Sequence, residues 1–276
     1  MYVQSPDAPK RKPVTVPGLR AMKARGEKIA VLTCYDASFA AQMEAAGIDV
    51  ALVGDSLGMV VQGHASTLPV TLDQMVYHVS LVARGLSATL LIADLPFMQF
   101  RDPATALAAA ARLMAEGGAA MVKLEGGADW TCEVIATLTA RDVPVCAHLG
   151  LTPQSVHKLG GYRMQGKTDD AAARLLGEAK AVAHAGAELL VLESVPAALA
   201  GTITREVPIP TIGIGAGAEC DGQVLVCYDM LGITPGRRPK FSKDFLAGRG
   251  SLRDAFAVYA EDVRAARFPG PEQISA

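Results

Sequence analysis

Eight short apolar runs recur along the chain, each closed by a polar or glycine-rich stop and most followed by an alanine-rich amphipathic stretch. They are IAVLTCY at 29–35, VALVGD at 50–55, TLLIAD at 89–94, AAMVKLE at 119–125, VPVCAH at 143–148, ELLVLE at 188–193, PTIGIG at 210–215 and QVLVCY at 223–228. Runs that are apolar throughout belong to strands covered on both faces, and strands alternating with helices pair in parallel. Eight such units predict an α/β fold, a closed (β/α)8 barrel, with a doubly wound open sheet as the alternative. The seventh and eighth runs lie too close together for a full helix between them. Helices are expected over 17–26, 38–46, 72–84, 103–116, 130–140 and 169–185, with a short one near 196–201 and a longer one over 245–267.

No shift in composition divides the chain, so the reading is one barrel domain over 17–268. It is flanked by a flexible basic, proline-rich arm over 1–16 and a short tail over 269–276. The arm has no apolar stretch of the kind that marks a secretion signal. Half of the 276 residues are hydrophobic, enough for a large core. With 26 basic and 28 acidic residues the formal charge is -2, so no strong field points to nucleic acid or an anionic membrane as partner. A small ligand is the expected partner. Five widely spaced cysteines, without a Cys-x-x-Cys pair, argue against a disulfide framework or a zinc ribbon and suit a reducing cytoplasm. No uncharged apolar run is long enough to cross a bilayer.

In a (β/α)8 barrel the C-terminal strand ends deliver their side chains to one common rim, where function resides. The ends here are Asp55, Asp94, Glu125, His148 and Glu193, and Lys123 shares the face of Glu125 because it stands two residues before it. Taken singly, each acid reads as readily as a turn or capping carboxylate. Four at one rim repel one another and raise their pKa values unless a cation neutralises them. An all-oxygen set suits a hard divalent ion such as Mg2+, which keeps open positions for water or substrate oxygens. Zinc is disfavoured, because no His-Glu-x-x-His or paired Cys/His spacing occurs. Gly213-Ile-Gly-Ala-Gly217 lacks the spacing of a phosphate loop and reads as a close-packed strand end. Ser56 and Cys34 have no base at a recognisable spacing, and His64, His78, His157 and His184 read as structural or solvated.

Several ordered motifs resemble the 3-methyl-2-oxobutanoate hydroxymethyltransferase (ketopantoate hydroxymethyltransferase) family. They include Val53-Gly-Asp-Ser-Leu-Gly-Met-Val60, Gly63-His-Ala-Ser-Thr-Leu-Pro-Val-Thr71, Ala93-Asp-Leu-Pro-Phe-Met98 and Val122-Lys-Leu-Glu-Gly126. Others are His148-Leu-Gly-Leu-Thr-Pro-Gln-Ser155, Gly160-Gly-Tyr-Arg-Met-Gln-Gly166, Leu192-Glu-Ser194 and the run from Gly213 to Val226. The resemblance spans roughly residues 17 to 245 and implies a barrel of the phosphoenolpyruvate/pyruvate type. It implies transfer of a hydroxymethyl group from 5,10-methylenetetrahydrofolate to 3-methyl-2-oxobutanoate, giving 2-dehydropantoate in pantothenate biosynthesis, with one Mg2+ per subunit. By motif, Asp55, Asp94 and Glu125 match the family's metal-site residues, and Asp55, Ser56, Asp94 and Lys123 its keto-acid contacts. Glu193 matches its proton acceptor, and His148 is a further candidate. The resemblance also implies a cytoplasmic homo-oligomer, often a decamer. Two positions depart from the family pattern: Ala65 stands where an acid is expected, and Tyr228 where a histidine is common. Two rival readings are a Mg2+-dependent carbon-carbon lyase or phosphomutase on the related barrel, and a metabolite-binding barrel without turnover.

Overall fold

The structure is a computed structural model, and it describes residues 11–236 and 238–274. Eight strands form in chain order: β1 (Ile29–Thr33), β2 (Val50–Val53), β3 (Leu90–Asp94), β4 (Met121–Glu125), β5 (Val145–Gly150), β6 (Leu189–Glu193), β7 (Thr211–Ile214) and β8 (Gly222–Leu225). Every neighbouring pair is parallel, and β8 returns to β1 with Ile29 opposite Gly222 and Leu32 opposite Leu225, which closes the barrel. The open-sheet alternative is thereby overturned: an open sheet would leave two edge strands, and the β1–β8 ladder leaves none.

The helices are α1 (Val16–Arg25), α2 (Ala37–Ala46), α3 (Leu57–Val60), α4 (Leu72–Ala83), α5 (Pro103–Ala111), α6 (Asp129–Thr139), α7 (Val156–Leu159), α8 (Asp169–His184), α9 (Ala197–Glu206), α10 (Cys227–Met230) and α11 (Leu252–Arg264). Several start on side-chain caps that the sequence carries openly. Asp36 accepts from the amides of Ser38 and Phe39, Asp102 caps ahead of Pro103, and Thr71 and Gln74 form a reciprocal capping box. The helix expected over 245–267 is shorter, because Ser251 caps a start at Leu252 and Gly248 takes a left-handed φ of 74° just before it. The one near 196–201 runs on to Glu206, and 103–116 ends in a π-helical turn over Arg112–Glu116. No helix separates β7 from β8, as their spacing indicated.

Residues 1–10, 275 and 276 of the expected arm and tail lie outside the described residues. Residues 11–15 are not a flexible arm. The Arg11 guanidinium donates to Ile48 O at 2.6 Å and to Thr89 Oγ1 at 2.7 Å, and the Val14 amide donates to Ala88 O at 2.8 Å.

Two apolar layers hold the barrel. An outer one packs the helices on the strands and includes Leu32, Val53, Val79, Leu113, Val122, Ile135, Leu190 and Phe256. An inner one fills the barrel with Ile29, Val31, Val50, Leu52, Leu90, Ile92, Met121, Cys146, Leu189, Val191, Ile212 and Val224, and Leu19 of α1 joins it with no exposed surface. Alternation along each strand explains the split, since residues two apart share a face. It also dictates what sits above: Asp94 follows Leu90 and Ile92, Lys123 and Glu125 follow Met121, His148 follows Cys146, and Glu193 follows Leu189 and Val191. Continuing the inward face of four strands by one or two steps therefore carries the chain from hydrocarbon to charge.

Candidate active site

The strand register brings the charged steps level with one another. Asp94 pairs with Lys123, and Glu125 with His148. Lys123 Nζ lies 2.8 Å from Asp94 Oδ1 and 3.3 Å from His148 Nδ1. The imidazole lies 3.5 Å from Glu125 Oε1 through Nδ1 and 3.2 Å from Glu193 Oε2 through Nε2. Asp94, Lys123, Glu125 and His148 are all buried, and the Glu193 side chain is 15% exposed. Acid and base thus alternate across four adjacent strands.

Asp55 reaches the same place by another route. Gly54 holds the next inward position of β2, and a Cβ there would stand 2.8 Å from Ser56 Oγ and 3.4 Å from Asp94 Oδ2. The missing side chain lets the backbone turn close to β3, so the Asp55 amide donates to Asp94 Oδ2 at 3.0 Å. The Asp55 carboxylate accepts from Gln154 Nε2 at 2.8 Å, while the Gln154 amide donates to Glu125 Oε2 at 2.9 Å. Ser56 Oγ lies 2.8 Å from the Tyr35 hydroxyl.

The electrostatics follow from burial and crowding. Burial, reinforced by the charges of Asp94 and Glu125, pushes the Asp55 carboxyl well above its ordinary range. Asp94 is also raised by burial, against the opposing pull of Lys123. Burial works against the Lys123 ammonium, but Asp94, Glu125 and Asp55 outweigh it and hold the group protonated above its ordinary value. His148 is pressed down by burial and by Lys123, yet contacts with Glu125 and Glu193 outweigh them and raise it to about 9. Burial and the nearby Cys227 thiol keep the Tyr35 phenol neutral far up the pH scale.

These features suit a hard divalent cation. Asp94 Oδ1 is buried and has no aligned hydrogen bond, its contact with Lys123 being one of charge. Crowded carboxylates gain from a positive ion, and their donors are all oxygen. Among the described residues no three His, Cys, Asp or Glu side chains already converge as a metal cage. An ion at this rim would take part of its shell from water and substrate oxygens, as Mg2+ commonly does.

Sequence reasoning singled out Asp55, Ser56, Asp94, Glu125, Lys123, His148 and Glu193, and the structure brings all seven to one rim. It did not single out Tyr35, Gln154 or Tyr162. Tyr35 closes the first apolar run, so the strand-end rule that found the acids applied to it too. Gln154 lies beyond the end of β5 in a short 3-10 turn, Pro153–Ser155, where no periodicity announces it. Tyr162 sits among exposed loop residues, and its phenol is raised by partial burial and by the charges of Glu193, Asp55 and Glu125. Tyr228, one of the two departures, stacks on Tyr35 with centroids 5.7 Å apart and planes 16° apart. Ala65, the other, is exposed. The 213–217 glycines are close-packed: at Gly217 (φ 79°) a Cβ would stand 2.5 Å from that of Ala197. His78 Nδ1 bonds the Tyr35 carbonyl at 2.8 Å, a structural role. All five cysteines are free, and burial raises every one of their thiols.

A family model described as ketopantoate hydroxymethyltransferase matches residues 13–271. The 3-methyl-2-oxobutanoate hydroxymethyltransferases of Burkholderia thailandensis (strain E264) and Burkholderia mallei (strain SAVP1) are each 58% identical over 262 residues, covering 95% of this chain and 96% of theirs. Among solved structures, phosphoenolpyruvate phosphomutase from Streptomyces platensis subsp. rosaceus superposes with a TM-score of 0.60 at 15% identity, over 79% of this chain and 83% of that one. Phosphonopyruvate hydrolase, solved in complex with oxalate and Mg2+, gives 0.59 at 15% identity, over 94% and 92%. At that identity the likeness is one of fold.

Proposed function

The chain belongs to the ketopantoate hydroxymethyltransferase family, and from that premise we propose that its rim transfers the one-carbon unit of 5,10-methylenetetrahydrofolate to C3 of 3-methyl-2-oxobutanoate, giving 2-dehydropantoate. The observation that carries the reading is the row of buried Asp94, Lys123 and His148 ending at the partly exposed Glu193, flanked by Asp55 and Glu125. It combines a fixed cation for a substrate carboxylate with a carboxylate for its proton.

Lys123, fixed by Asp94 and shielded from water, pairs with the carboxylate of the keto acid. Ser56 donates to the same substrate. Because the neutral Tyr35 phenol can donate to Ser56 Oγ, the serine hydrogen is left free to point at the ligand. Glu193 accepts the C3 proton, and His148, 3.2 Å away, holds that carboxylate in place. Asp55 and Asp94, with Glu125 beside them, hold one Mg2+ per subunit, which supplies Lewis-acid polarisation of the keto-acid oxygens when bound. The enolate carbon left by proton removal then bonds to the one-carbon unit, both C–N bonds of the methylene bridge break, and one water supplies the hydroxyl oxygen. The two folate nitrogens take up the proton held by Glu193 and the proton left by the water, and tetrahydrofolate leaves.

A lyase or phosphomutase working through a cysteine loop finds no support here, since Cys34, Cys146, Cys220 and Cys227 are buried and Cys132 lies on α6, away from the charged rim. Among the described residues no helix is long and apolar enough to cross a membrane. A cytoplasmic homo-oligomer, a decamer by family resemblance, with no nucleic-acid or membrane partner, completes the proposal. The deciding experiment incubates the purified chain with the keto acid. Product should appear only when methylenetetrahydrofolate and Mg2+ are both present, and product without the folate overturns the reading.

A further inference from the structure

Beside the charged rim lies a cavity of about 300 Å3. Its walls come from the segments that follow three successive strands: Phe97, Met98, Phe100 and Arg101 after β3, Trp130 in the first turn of α6 after β4, and Gln154 in the 3-10 turn after β5. Phe100 and Trp130 stack nearly parallel, with centroids 6.0 Å apart and planes 13° apart. Trp130 is 49% exposed, Met98 48% and Phe97 42%, so apolar surface is left uncovered at the edge of a charged site. Met98 also holds a φ of 66°, which side-chain-bearing residues rarely adopt away from functional loops.

We propose that this cavity is the seat of the reduced pterin ring of the one-carbon donor, with its anionic tail directed to Arg101. The proposal rests on the folate-dependent reading above. Three features select a flat, polar-edged ring over a plain hydrocarbon. The stacked pair offers an aromatic face, which favours an offset-stacked partner. The cavity is continuous with the catalytic rim, because Glu125 is one of its walls. Gln154 is buried, and its Oε1 has no hydrogen-bond partner, so the wall carries an acceptor waiting for an N–H donor. A pterin edge presents such donors. Arg101, half exposed and paired to Asp102 at 3.3 Å, supplies a cation at the mouth for a carboxylate tail.

The chain has one tryptophan, Trp130, so the seat carries its own reporter. Titrating the full-length protein with tetrahydrofolate should quench its emission saturably, and Trp130→Phe should abolish the signal while equilibrium dialysis still detects binding. Trp130→Ala and Phe97→Ala should each raise the KM for methylenetetrahydrofolate about tenfold, with the KM for the keto acid within about twofold. Circular dichroism establishes that both variants fold, and both positions are solvent-facing, which makes loss of the fold avoidable. Folate-dependent product with unchanged Trp130 emission and wild-type donor KM in both variants overturns the seat and leaves the reaction standing. A change of sedimentation mass in those variants without any change in donor KM also overturns it, assigning the patch to subunit contact. No folate-dependent product at all removes the reading beneath it as well.

Discussion

Lys123 Nζ and Asp94 Oδ1 lie 2.8 Å apart, with side chains only 6% and 5% exposed. A pair this deep stabilises little by existing, but removing one partner strands the other in a site that already holds Asp55 and Glu125. Lys123→Met should therefore lose about 3–5 kcal/mol in urea unfolding at pH 7.5. The loss should shrink as pH falls, because Asp55 and Asp94 have raised pKa values and protonation relieves the stranded charge. Adding Asp94→Asn should recover much of it, whereas additive losses would show that the pair is not coupled.

Glu193→Gln keeps the size of the side chain and removes its basicity. Exchange of the C3 hydrogen of the keto acid with deuterated solvent, followed by proton NMR, should slow by about 10²–10⁴. Keto-acid affinity should change by no more than about threefold. Exchange at the wild-type rate would place the base elsewhere.

Tyr35→Phe removes the one hydroxyl that orients Ser56 and leaves the stack on Tyr228 intact. A lost hydrogen bond of this kind is worth about 0.5–1.5 kcal/mol, so kcat/KM should fall about 2- to 10-fold with the melting temperature little changed. An equal loss in the Tyr35→Phe, Ser56→Ala double variant and in Ser56→Ala alone would confirm that the phenol acts through the serine.

The buried thiols should lower the stability of the fold at alkaline pH. Burial raises Cys220 to about 11 and Cys146 and Cys227 to about 12, and Cys34 well above its ordinary value. Unfolded cysteines ionise near about 8.5, so between those limits the folded state holds more protons than the unfolded one and stability falls with rising pH. Melting temperatures should already decline between about pH 6.5 and 9, where His148 is raised to about 9, and drop more steeply above about pH 8.5 as the thiols add to the loss. At pH 8 only Cys132, the least buried of the five, should react promptly with a thiol reagent.

Much of this was legible in the sequence because a barrel strand exposes its logic by alternation. Once Met121 is read as inward, Lys123 and Glu125 follow without further information, and the same holds for Asp94 after Ile92 and Glu193 after Val191. Asp55 was legible as a strand end, but the reason it reaches β3 was not: that depends on Gly54 leaving space for Ser56 Oγ and Asp94 Oδ2, a distance between segments that no local pattern encodes. Gln154 and the Phe100–Trp130 stack were hidden for the same reason, since segments that follow different strands build them. The error over 11–15 has the opposite cause. A basic, proline-rich composition resembles a free arm, and it takes the carbonyl of Ile48, the hydroxyl of Thr89 and the carboxylate of Asp49, all distant in sequence, to give Arg11 somewhere to bind.

Leu19, with no exposed surface, closes the inner apolar layer on the side away from the rim. A vessel stoppered at one end behaves as a stack: what enters last must leave first. On the proposed reading, a keto acid paired to the buried Lys123 would sit deeper than a bulky donor on the half-exposed aromatic wall. On that reading arrival would be ordered, keto acid before folate, and departure would be ordered in reverse, with tetrahydrofolate released before 2-dehydropantoate.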